Sequence, residues 1–117
     1  MFGDFVRAAA VVRWVERVRL EKGPRLAMEV VRGVGSTKKD RGPAGRFQLA
    51  RAVRLVDRLF PGGPNCYRRA LLEAALDSGA AAEPLMMGFR TAEGRCEGHA
   101  WLGSDPSASS YDVVVSA

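Results

Sequence analysis

The chain has 117 residues, 47% of them hydrophobic and 26% charged, which is enough apolar material for one compact domain and argues against a disordered chain. Its formal net charge of +5 is uneven, with a balance of +8 over residues 1–60 and −3 over residues 61–117. No uncharged run approaches the length of a membrane span and no secretory signal pattern is present, so a cytoplasmic location is expected.

Phe5 to Leu20 predicts an amphipathic helix, with Asp4 as its cap and Phe5, Ala8, Ala9, Val12, Val15 and Val18 as its apolar stripe. Gly23-Pro24 ends it and opens a shorter helix to about Arg32, with Leu26, Val30 and Val34 as the apolar line. Gly33 to Gly45 is polar, glycine-rich and aperiodic, and predicts a loop. Phe47 to Phe60 predicts a third helix, whose stripe is Phe47, Ala50, Val53, Leu55, Val56, Leu59 and Phe60. A fourth runs from Asn65 or Cys66 to about Ser78, stopped by Gly79. Three strands follow, over Glu83–Arg90, Cys96–Leu102 and Tyr111–Val115, with Ala92-Glu93-Gly94 and Ser104-Asp105-Pro106-Ser107 as turns. The fold class is therefore α+β: N-terminal helices, then a cysteine-bearing helix packed on a small antiparallel sheet. Residues 1–117 are read as one domain, with a basic helical part over 1–45 and a core over 46–117.

The chemistry concentrates at Pro64-Asn65-Cys66-Tyr67-Arg68-Arg69. Pro61-Gly62-Gly63-Pro64 breaks the chain, Asn65 offers an N-cap, and Cys66 falls on the first turn of the next helix. Backbone N–H groups and the helix dipole there favour a thiolate, and the same N–H groups, around Asn65 and Cys66, could stabilise an oxyanion. His99, the only histidine, stands on a later strand, which makes a Cys–His pair for nucleophilic catalysis. The bland reading of the two is a small core filler and a satisfied core histidine.

If the last two strands form a hairpin turning between Asp105 and Pro106, His99 faces Asp112 across an antiparallel pair, with Cβ atoms about 5 Å apart. Asp112 would then orient the imidazole toward Cys66, with Glu97 and Asp105 as substitutes. Trp101, two residues from His99 on the same face, would pack beneath the site. Cys66 and Cys96 could form a disulfide, which a reducing compartment disfavours. Cys96 and His99 have a C-x-x-H spacing but too few companions for a zinc site, and no phosphate-binding glycine loop is present, so neither metal nor cofactor is expected.

Taken in order, Cys66-Tyr67-Arg68-Arg69-Ala70-Leu71-Leu72, Pro84-Leu85-Met86-Met87-Gly88-Phe89-Arg90 and His99-Ala100-Trp101 resemble the transglutaminase-like, papain-fold leader peptidases of lasso-peptide biosynthesis. The resemblance spans about residues 46–112. It implies a thiol protease in which Cys66 attacks, His99 shuttles the proton and Asp112 orients His99. It further implies a ribosomally made precursor peptide as substrate, cut between leader and core. A small leader-binding protein would deliver the peptide and a cyclase would act next; the basic N-terminal helices would dock the delivering protein or acidic peptide segments. The competing readings are a catalytically inactive peptide- or protein-binding relative and a basic nucleic-acid binder. The second has no base-reading motif behind it.

Overall fold

The computed structural model describes residues 2–103 and 113–116. Among them the order is α1 (Phe2–Glu21), α2 (Pro24–Gly35), α3 (Gly42–Leu59), α4 (Cys66–Leu76), a one-turn α5 (Ser78–Ala81), then β1 (Leu85–Ala92), β2 (Arg95–Leu102) and β3 (Val113–Ser116). The fold is α+β: a helical assembly set against a small antiparallel sheet of order β2-β1-β3.

The cysteine-bearing helix is the centre of the packing. α4 buries Ala70, Leu71, Leu72, Ala74, Ala75 and Leu76, and it contacts α1, α2, α3, α5 and β2. A helix buried on most sides needs alanines wherever a neighbour comes close and leucines where it does not, which is the composition of this stretch. One apolar cluster joins α4 to Ala8, Val12, Val15 and Val18 of α1, Ala27, Met28 and Val31 of α2, and Leu49, Val53 and Val56 of α3. The same cluster takes in Leu85, Ala100 and Leu102 of the sheet.

The structure corrects several expectations about faces and ends. α1 already includes Phe2, so Asp4 lies inside its first turn; it is buried and accepts a hydrogen bond from Arg41 rather than capping the helix. Ala9 is exposed, whereas Ala8, Val12, Val15 and Val18 are buried. In α2 the buried line is Ala27, Val31 and Gly35 with Met28, while Leu26 and Val34 face outward. The reason is distance: a Cβ on Gly35 would lie 1.7 Å from the carbonyl oxygen of Ala74, so the small-residue side, not the leucine side, meets α4. α2 runs on to Gly35 and α3 begins at Gly42, which shortens the expected loop to residues 36–41. Within α3, Leu49, Ala52, Val53, Val56 and Asp57 are buried, and Phe47, Leu55 and Leu59 are exposed. α4 ends at Leu76, because Asp77 leaves the helix and caps the separate turn α5 through the N–H of Ala80.

The β1–β2 hairpin forms as the turn chemistry indicates. Ala92 pairs with Arg95, and the two residues between them, Glu93 and Gly94, have φ of 52° and 75°. Two consecutive positive φ values match the right-handed twist of the strands they join. The third strand does not follow the expected hairpin with β2. β3 pairs with β1, with Gly88 opposite Val114, so β1 is central and β2 and β3 flank it. The ten-residue interval between Leu102 and Val113 is long enough to reach the far side of β1, and β1 has two edges to fill.

Candidate active site

The turn before α4 sets the position of Cys66. Gly62 and Gly63 have φ of 95° and 89°, a left-handed backbone that side-chain-bearing residues avoid. They turn the chain from α3 back into α4. Asn65 then adopts extended backbone and its side chain accepts the N–H of Arg68, 2.9 Å away, so it caps the helix. Cys66 is the first helical residue.

Beneath this turn lies a buried ionic cluster that the sequence reading did not contain. Asp57 of α3 is fully buried and accepts from Arg68 Nε at 2.8 Å and from the backbone N–H of Asn65 at 2.9 Å. Arg68, 2% exposed, also donates to the carbonyl of Gly63 at 2.6 Å and to Glu16 of α1 at 3.2 Å. Its guanidinium lies over the Phe60 ring at 4.3 Å. Glu16 is held in turn by Arg19 at 2.6 Å. The hydrogen bond from Arg19 lowers the Glu16 pKa; burial opposes this, and the charges of Arg19 and Arg68 reinforce it. The cluster thus ties α1, α3, the glycine turn and the start of α4 into one unit. One signal could have found it: Asp57 is the only acid in α3 and stands on its apolar stripe, beside Val56 and four residues after Val53.

Cys66 is a half-buried free thiol, and its Sγ accepts the backbone N–H of Ala100 at 3.3 Å. That bond joins the start of α4 to β2 at the residue next to His99. Cys66 and His99 line one cavity of about 740 Å³, walled by α3, α4 and β2. His99 is half-buried, pairs across the sheet with Gly88, and stacks on Trp101 with ring centroids 5.5 Å apart and planes at 21°. The indole stacked on the imidazole limits its tilt. Trp101 is 3% exposed and lines the same cavity, which fits a packing role beside the site.

Two first-turn N–H groups point out of α4 without an intrahelical acceptor, those of Cys66 and Tyr67. The N–H of Asn65 is engaged by Asp57, and those of Arg68 and Arg69 by the side chain and carbonyl of Asn65. The amides of this turn left without an acceptor in the helix are therefore those of Cys66 and Tyr67, and Asn65 serves as cap.

Asp112 and Asp105 lie outside the described residues. The hairpin that would have set Asp112 opposite His99 is not the pairing observed, since β1 separates β2 from β3. Glu97 is bound across the strands by Arg90, at 3.0 Å. No group of three or more His, Cys, Asp or Glu that could hold a metal occurs among the described residues.

Within this α+β fold, a helix opening on a cysteine is packed by its first turn against a strand that carries a histidine. The family model for the transglutaminase-like superfamily matches residues 5–110, and the chain belongs to that superfamily. No curated protein and no solved structure gives a match. Among the described residues, no helix is long and apolar enough to cross a membrane.

Proposed function

We propose that the protein is a cysteine peptidase that removes the leader from a ribosomally made precursor peptide, as in lasso-peptide biosynthesis. The superfamily includes cysteine proteases. The observation that carries the reading is the seat of Cys66: first in its helix, hydrogen-bonded to the amide of Ala100, and sharing a cavity with His99. The resemblance of residues 46–112 to the leader peptidases supplies the substrate class.

In this account the Cys66 sulfur attacks the carbonyl carbon of the scissile amide. The N–H groups of Cys66 and Tyr67 receive the developing oxyanion. His99 takes the thiol proton and gives it to the leaving amine, which departs as the new N-terminus of the core peptide. Water, deprotonated by His99, then releases the leader as a carboxylic acid and restores the thiol. Asp112 is the proposed orienting acid. The delivering partner is a small leader-binding protein, docked on the basic N-terminal helices, and a cyclase acts on the product.

The test is incubation of the protein with its cognate precursor peptide and the delivering protein, followed by mass spectrometry. The wild-type chain is expected to give leader and core fragments, and Cys66→Ala and His99→Ala to give neither while melting like wild type. Cleavage by Cys66→Ala would contradict the assignment.

A further inference from the structure

The groove that holds Cys66 has an uneven charge pattern along its length. Its α3 wall carries Arg46, Phe47, Ala50 and Arg54, and its α4 wall carries Cys66, Arg69, Ala70 and Glu73. The walls run antiparallel. Asp57, near the end of α3, meets Arg68 and Asn65 at the start of α4, and Arg46, near the start of α3, reaches Glu73 in the second half of α4.

At the end away from Cys66 carboxylates outnumber cations. Arg46 is bound to Glu83 at 2.7 Å, with Asp77 at 3.8 Å and Glu73 at 3.9 Å. Asp40 accepts the N–H of Gly42. At the Cys66 end the balance is positive. Arg69, one turn after Cys66, lies 3.9 Å from Asp57, a carboxylate already held by Arg68 and by the amide of Asn65. Arg54 is exposed and makes no ion pair among the described residues.

We propose that Arg54 and Arg69 select a carboxylate side chain in the substrate, adjacent to the bond presented to Cys66. This rests on the peptidase reading for what happens after binding, and on the groove alone for the selection. A guanidinium offers a planar fork that matches a carboxylate in two parallel hydrogen bonds, and two such groups on opposite walls of one groove define where that carboxylate sits. A substrate amide in its place would leave Arg54 without a counter-charge and Arg69 with only the Asp57 carboxylate that it shares with Arg68. With one guanidinium exposed and the other partly so, discrimination of about fivefold between Glu and Gln is expected at that position.

The experiment uses an mRNA-display library of random decapeptides selected on immobilised Cys66→Ala protein, and on the same protein carrying Arg54→Glu or Arg69→Glu. Acidic residues should be enriched over their amides on the parent. Arg54→Glu should abolish that enrichment and favour Lys and Arg instead, with an unchanged melting temperature, because Arg54 is exposed on α3. Equal retention of Glu and Gln peptides overturns the proposal, as does an enrichment that Arg54→Glu leaves intact. The selected peptides are then offered to the wild-type chain. Acid-rich peptides that are bound and never cut uphold the carboxylate selection and count against the peptidase reading. Cutting with no preference for acids does the reverse.

Discussion

Asp57 and Arg68 form a fully desolvated ion pair, and its partners are what place Cys66. Removing Asp57 leaves the buried Arg68 with only Glu16, which is shared with Arg19, and breaking a buried pair in this way typically costs about 3–5 kcal/mol. Asp57→Ala is therefore expected to lose about that much stability in urea denaturation. It also releases the amide of Asn65, so the turn leading to Cys66 loosens. A loss below about 1 kcal/mol would show that the pair does not hold the turn. At this scale the sequence was half legible. Cys66, Asn65 and His99 stood out because their residue types are tied to special backbone positions or to chemistry. Asp57 and Arg68 did not, since a carboxylate and a guanidinium ordinarily mark a solvated face, and the one hint was the place of Asp57 on the apolar stripe of α3.

Among elements, α2 and α4 approach closely at Gly35. Gly35 leaves no room for a side chain against the Ala74 carbonyl. Gly35→Ala gains helix propensity of about 1 kcal/mol in an open position, but here the methyl must push two backbones apart. The expected net result is destabilisation by about 1–3 kcal/mol, read as a lower melting temperature. The same substitution at Gly33, where no atom lies within 4 Å of the added Cβ, should be neutral or stabilising. A Gly35→Ala protein as stable as the Gly33→Ala one would contradict the packing described. Periodicity located α1 through α4 but misjudged faces in α2 and α3, because it ranks residues by size. Close helix packing instead favours the side with Ala27 and Gly35, and leaves Leu26, Phe47 and Leu59 outside. The strands were legible for a different reason: the Glu93-Gly94 turn fixes the register of β1 on β2 locally. Nothing local specifies on which edge of the sheet β3 is added, and that is where the expected hairpin failed.

Over the whole molecule, the ionic cluster makes the helical assembly and the cysteine helix respond together to acid. The lowered pKa of Glu16 means that the unfolded chain takes up its proton first as pH falls. Its stabilising contribution is complete above the ordinary glutamate value of 4.5 and is lost as pH drops through the lower folded-state value. Glu16→Gln should thus be less stable than wild type at neutral pH, with the gap closing in strong acid. A gap that stays constant from pH 7 to pH 3 would mean that Glu16 is not coupled to Arg19 and Arg68. The chain belongs to the transglutaminase-like superfamily and its Cys66 and His99 line one cavity, while the proposed substrate is read from residues 46–112 and from charge.

The most direct test of the Cys–His pair is the rate at which iodoacetamide modifies Cys66 at pH 6, followed by peptide mapping, in the wild-type chain and in His99→Ala. If the imidazole supports the sulfur's negative charge, its loss should slow modification by roughly tenfold or more while both proteins remain folded. Equal rates in the two proteins would contradict the pairing.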